Sequence, residues 1–267
     1  MHPRLGALAA LRLTDPDAKV AATRELAAAS LAAPMPEIAV RQPDDDDGVP
    51  GRPERPLTVS AMDVGKRSPF TPGGRAALVH SICHIEFNAI NLALDAMWRF
   101  DGMPEAYYRD WLRVADEEAQ HFTLLHAHLQ TLGFRYGDFT GHDGLWSMCE
   151  KTRHDVLARM ALVPRTLEAR GLDATPLIQA KLRRVNTPDA HAAIAILDTI
   201  LRDEVGHVAI GNRWYRWLCA REGVDPIAHY RVLYRRHEAP RLKAPFNLEA
   251  RAQAGFTDEE LADLAAP

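Results

Sequence analysis

Asp116 to Phe122 read DEEAQHF and Arg202 to Val208 read RDEVGHV, so the step Glu-x-x-His occurs at Glu118/His121 and again at Glu204/His207. Residues three apart share one face of a helix, and each step would aim a carboxylate and an imidazole in the same direction. Two such pairs, joined by further carboxylates, would make a site for two metal ions. Spacing alone does not establish one: with 15 Glu and 12 His in 267 residues, about 0.7 such steps arise by chance. The elements around the steps must decide.

Those elements are helices. After Pro72, long stretches open with a capping residue plus Pro and close near Gly. Thr71-Pro72 opens one that should run to about Phe100, and Pro104 opens a second ending near Gly133. Asp143 opens a third, and Thr187-Pro188 a fourth ending near Gly223. Asp225-Pro226 starts a shorter fifth, stopped by Pro240, and Thr257-Asp-Glu-Glu has the capping-box form of a small terminal helix. No run of period-two alternation bounded by hairpin turns is present. Central helices of about thirty residues predict an all-α chain built on a helical bundle.

In this frame Glu118 lies 14 residues after Pro104 and Glu204 lies 16 after Pro188, at matching depth in their helices. The first helix supplies Glu86, 14 residues after Pro72 within ICHIEFNAINLAL, where Ile82, Ala89, Ile90 and Ala93 share its face. A carboxylate on such a stripe needs a partner, because an unpaired buried charge is costly. Spacing selects Glu168 as its counterpart on the third helix. Glu86 precedes Glu118 by 32 residues and Glu168 precedes Glu204 by 36, as two copies of one helix pair would. Gly171 and Asp173-Ala-Thr-Pro176 follow Glu168 closely, so the third helix should kink or restart there, and Glu150 and Asp155 stand as alternatives.

Four carboxylates and two imidazoles projecting into a bundle core suit two iron or manganese ions. With these residues the chain resembles the ferritin-like di-iron carboxylate superfamily. Over roughly residues 72 to 222 it resembles an uncharacterised bacterial ferritin-like family, related in pattern to the tRNA-modifying hydroxylase of hydroxylated isopentenyl-adenosine synthesis. The resemblance implies a ferritin-like four-helix bundle with extra N- and C-terminal helices and a long irregular N-terminal strap. It implies the metal ligands Glu86, Glu118, His121, Glu168, Glu204 and His207, holding two Fe ions, or Mn, or one of each. Asp203 and Glu117, each just before a ligand Glu, would hold the opposite imidazole in its tautomer. The implied activity is that of a di-iron oxidoreductase, an oxidase or monooxygenase acting with dioxygen and an electron donor. Its substrate would be a small molecule or a modified nucleoside, and the chain could work as a homodimer. Two other classes compete: a ferroxidase or iron-handling protein, and a non-catalytic helical interaction protein.

Composition bounds these readings. The net charge is −4 and the pI about 6.3. No long Lys/Arg run is present, which removes the usual footprint of nucleic-acid binding and leaves room for a local basic funnel only. The opening MHPRLGALAALRLTDPD is too short in apolar residues for a signal peptide or membrane span, so a cytoplasmic location without membrane contact is expected. Three cysteines, Cys83, Cys149 and Cys219, show no Cys-x-x-Cys spacing, which suits a reducing compartment and argues against a thiolate zinc site.

The expected domains are an N-terminal helix and Pro-rich strap over 1–71, the bundle over 72–223, and a helical extension over 224–267 packed on it. Thr14 to about Leu31 reads as a peripheral helix capped by Thr14. Pro34 to Pro72, with the acidic run Asp44 to Asp47, reads as an extended strap around a solvated loop. His80 and His84 have no carboxylate in register and read as polar or satisfied interior positions. Cys83 reads as a small buried residue, and Trp98, Tyr107, Tyr108 and Trp111 as core packing. Pro164, four residues before Glu168, should kink or open its helix. The segment His237 to Asn247 is basic and Pro-broken, placed to cover one end of the bundle.

Overall fold

A computed structural model describes residues 2–30, 48–65 and 67–265. The chain is all-α: every regular element among the described residues is helical, and the one strand-like contact is an isolated bridge between Thr58 and Gly141. It divides into two compact units, Met1–Trp146 and Ser147–Pro267, a boundary that falls inside the 72–223 stretch. The acidic run Asp44 to Asp47 lies outside the described residues.

The first unit is organised on α3 (Pro72–Arg99) and α4 (Glu105–Thr131), preceded by α1 (Pro3–Leu11) and α2 (Pro16–Ser30). Thr71 caps α3 as its sequence demands, its hydroxyl accepting from Gly74 N–H at 3.1 Å. Gly74 is required there, since a Cβ would fall 1.8 Å from the Ser68 carbonyl oxygen. The other end of α3 is held by α1. Arg4 donates to the carbonyls of Met97 (3.2 Å) and Trp98 (2.7 Å) and pairs with Asp101, satisfying acceptors that a helix end leaves open. The sequence had shown no helix at α1, and α2 is capped by Asp15, which accepts from Ala18 N–H at 2.8 Å, rather than by Thr14.

α3 packs chiefly on α4. Phe87 and Phe122 meet at 5.6 Å between ring centroids, and Trp98, Tyr107, Tyr108 and Trp111 are buried, as core packing requires. By length and composition α3 could cross a membrane, but 72% of its apolar window is buried within the protein. The described part of the strap, 48–65, is irregular. It lies on the loop after α4, with Val59 N–H donating to Gly141 O at 2.9 Å and Gly141 N–H to Leu57 O at 3.0 Å.

Lys19 ties this unit together. Its buried ammonium donates to the carbonyls of Leu11 (3.1 Å) and Gly51 (2.9 Å) and to the Asn91 side chain on α3. Burial and then the charge of Arg52 pull its pKa from 10.5 to about 7. Lys19→Met strands three buried acceptors and is expected to cost about 3 kcal/mol at neutral pH. Because the unfolded amine binds its proton up to 10.5 and the folded one releases it near 7, the native protein gains stability as pH rises across that window. The gap between native and variant in urea unfolding should therefore widen from pH 7 to about 10, and a constant gap would contradict the linkage.

The second unit departs from the expected thirty-residue third helix. The stretch after Asp143 forms α5 (Gly144–Lys151, spanning the unit boundary), α6 (Val156–Leu162), a π-helix over Val163–Glu168, and α7 (Ala169–Val185). Pro164 accounts for the change: it lacks an N–H and its ring crowds the preceding turn, which widens to the π form. The helix does not restart after Glu168: α7 runs through Gly171 and carries Pro176 inside it. α8 (Pro188–Glu222) receives α6, the π-helix and α7, and ends on Gly223 in the left-handed conformation.

Gly211 on α8 lets the π-helix approach. A Cβ there would sit 2.6 Å from Pro164 Cβ, and a proline ring has little freedom to yield. Gly211→Ala should destabilise the protein by about 2 kcal/mol, read as a lower midpoint in chemical denaturation, whereas Gly206→Ala, with open space around it, should be neutral or better.

α9 (Pro226–Arg236), α10 (Leu248–Gln253) and α11 (Asp258–Ala265) complete the unit. The capping box forms as its residues predict: Thr257 N–H donates to Glu260 at 2.8 Å and Glu260 N–H to Thr257 Oγ1 at 3.3 Å. Between α9 and α10 the basic segment is irregular, and α10 had no counterpart in the sequence reading. Ala169, Leu172, Val208, Ala250, Ala254 and Phe256 form the core beneath α10.

Candidate metal centre

In the first unit, α3 delivers Glu86 and α4 delivers Glu118 and His121 to one buried place. One donor atom from each of the three lies within 4.8 Å of the others. His121 Nδ1 is 3.2 Å from Glu86 and 3.4 Å from Glu118, and all three side chains are nearly inaccessible to solvent. Donors on a single ion at about 2.1 Å lie at most about 4.2 Å apart. Oxygen and imidazole donors therefore fit a divalent ion after a small contraction.

Protons take up the charge in the metal-free state. Burial, then the charge of Glu118, raises Glu86 from 4.5 to about 8. Burial works against the His121 cation, but hydrogen bonds and charges from Glu118 and Glu86 outweigh it and hold the imidazole proton up to about 11. At neutral pH the group thus keeps a proton on Glu86 and one on His121, and a dication could replace these two protons without changing the buried charge. Burial also pushes the Cys83 thiol well up, so no thiolate competes beside the carboxylates.

In the second unit α8 places Glu204 and His207 on one buried face, with His207 Nδ1 3.3 Å from Glu204 Oε1. Glu204 Oε2 is buried without a hydrogen-bond partner among the described residues. Glu168 is buried at the end of the π-helix, which packs on α8. The two alternatives to Glu168 are engaged elsewhere. Glu150 faces solvent 3.7 Å from Arg153, and Asp155 caps α6 by accepting from Ala158 N–H at 2.8 Å. Asp203 is engaged by Arg202 at 2.9 Å, and Glu117 is half-buried on α4.

His80 and His84 are interior residues; His84 is satisfied, while His80 Nδ1 is buried without a hydrogen-bond partner among the described residues. His80 Nε2 accepts from Gly137 N–H at 3.0 Å and His84 Nδ1 meets Tyr136 Oη at 2.8 Å. Burial lowers both to about 4, which keeps them neutral. What sequence reasoning missed is a cluster of arginines in the second unit: Arg165 on the π-helix, Arg231 and Arg235 on α9, Arg241 after it and Arg251 on α10, which line one cavity. The basic character of His237 to Asn247 was its only trace.

A family model described as "Protein of unknown function (DUF455)" matches residues 12–262. A protein of Haemophilus influenzae (strain ATCC 51907 / DSM 11121 / KW20 / Rd), called "Uncharacterized protein", is 51% identical over 222 residues, which cover 80% of this chain and 76% of that one. No solved structure matches.

Proposed function

The chain belongs to the DUF455 family, and we propose that it is a di-metal carboxylate oxidoreductase that uses dioxygen to oxidise or hydroxylate an organic substrate. The observation that carries this reading is the buried group Glu86, Glu118 and His121, with donor atoms within 4.8 Å of one another. In this proposal the first unit holds one ion through Glu86, Glu118 and His121. The second holds another through Glu168, Glu204 and His207, in the fold of a ferritin-like four-helix bundle. Iron, manganese or one of each would suit these donors.

Iron held by these residues would supply redox chemistry between +2 and +3 toward dioxygen, with electrons from an external donor. The residues do the rest. Glu86 and His121 release their protons when the site loads and take them back when it empties, so the buried charge stays balanced. Cys83 and the apolar face of Ile90 and Ala93 exclude water around the carboxylates. Asp203 and Glu117 are the candidates for fixing imidazole orientation.

The proposal is tested by dioxygen uptake. Protein loaded with ferrous iron and given a chemical reductant should consume oxygen, and Glu118→Ala should lose that uptake while remaining folded. Uptake equal in the two would sink the reading. Gel filtration separates the iron-storage class, which requires a large cage, from an enzyme that works as a monomer or homodimer.

A further inference from the structure

The second unit contains a cavity of about 460 Å³, within the range that small-molecule sites occupy. Its lining combines guanidinium groups with the rings of Tyr230, Tyr234, Phe246 and Phe256. Two of the arginines are buried. Arg165 is held by Asn212 and Glu260, both at 2.6 Å, and lies over the Tyr230 and Phe256 rings. Arg251 is held by Asp173 at 2.6 Å and lies over Phe246 and Phe256. Each nevertheless keeps a buried N–H without an acceptor among the described residues: Nε of Arg165 and Nη1 of Arg251. Both atoms are sealed from solvent, so the buried arginines give the cavity positive charge and support for its rings, and hydrogen-bond donors for a ligand come from the exposed guanidinium groups.

The charges give its sign. Glu260 answers Arg165 and is shared with Arg216 at 2.8 Å, Asp173 answers Arg251, and Asp263 answers Arg231. Arg235 and Arg241 also line the cavity, are exposed, and have no carboxylate partner among the described residues. At least two positive charges are therefore in excess, although the chain as a whole is acidic at −4. A phosphate monoester carries about −1.5 to −2 at neutral pH and accepts from guanidinium forks. The rings offer faces to a planar group. Tyr234 Oη is already spent on Pro240 O at 2.8 Å and Tyr230 Oη lies 2.8 Å from Thr166 Oγ1, so stacking rather than hydroxyl recognition is what they add.

The geometry points to this cavity as a binding site for a phosphorylated molecule with a planar ring, of mononucleotide size. The phosphate lies toward Arg235 and Arg241, and the ring lies among the aromatic side chains over the buried guanidinium groups. Nothing in this site uses the Glu-x-x-His residues, so it stands or falls apart from the metal reading.

The test is calorimetric titration of the full chain in chelator, without added metal. The probes are adenosine 5′-monophosphate and flavin mononucleotide, with adenosine, riboflavin and inorganic phosphate as controls. At least one nucleotide should bind below about 1 mM, and about tenfold more tightly than its dephosphorylated form or phosphate alone. Arg235→Ala/Arg241→Ala removes only exposed side chains, so its melting temperature should be unchanged while nucleotide affinity falls about tenfold. Absence of binding by both nucleotides, equal affinity with and without the phosphate, or full affinity in the double variant would each overturn the proposal.

Discussion

Glu118→Ala should reduce iron from about two ions per chain to about one or none, with first-unit affinity falling by about a hundredfold or more. Even residues that only orient a metal ligand cost 10–100-fold when removed, and a ligand costs more. The substitution should not unfold the metal-free protein. Glu118 is a buried counter-charge of the His121 cation, 3.4 Å away. With it gone Glu86 loses the charge that raised it and ionises in its place, pairing with His121 at 3.2 Å, which leaves a small cavity on α4 as the main cost. Glu204→Ala should act in the same way on the second unit. Glu150→Ala, at an exposed carboxylate paired only with Arg153 at 3.7 Å, should retain both ions. The readout is bound metal after desalting, beside far-UV circular dichroism. Retention of two ions by folded Glu118→Ala would remove the first unit from the site.

Metal affinity of the first unit should rise steeply with pH. Below about 8 the metal-free group holds a proton on Glu86 and one on His121, and a divalent ion must displace both. The apparent association constant should then climb about a hundredfold per pH unit between roughly 6 and 8, and about tenfold per unit above 8 where only the His121 proton remains. Manganese(II) under nitrogen is the suitable probe, because it does not oxidise during titration. Glu86→Gln removes one of the two protons and should roughly halve the logarithmic slope below pH 8. A flat profile would mean that the carboxylates and imidazole bind no metal together.

How far the sequence carries can be read from particular residues. Helix ends written in short-range chemistry were legible: Thr71-Pro72 and Asp225-Pro226 open helices, Gly223 closes one, and Thr257 with Glu260 forms its capping box. The Glu118/His121 and Glu204/His207 pairs were legible because helical geometry alone sets each on one face. Glu86 was legible as an acid stranded on an apolar stripe, and it does meet His121.

The third helix was not legible in detail. Pro164 announced a disturbance, but whether it bends a helix, ends it or widens it to a π turn depends on Gly211 across the contact with α8, which no local pattern contains. α1 was missed for a similar reason: Arg4 earns its place by capping α3 from a point 93 residues away in sequence. The arginine cavity was invisible because Arg165 and Arg251 are 86 positions apart, each in an unremarkable context, and only the packing of the π-helix, α9 and α10 brings them to one lining.

The most direct measurement is an anaerobic titration of metal-free protein with ferrous iron, reading bound iron per chain. The two sets of Glu and Glu-x-x-His predict saturation at about two ions per chain, lowered by Glu118→Ala and by Glu204→Ala. A folded protein that takes up no stoichiometric iron or manganese would contradict the di-metal function and leave the buried carboxylates and imidazoles with a structural role alone.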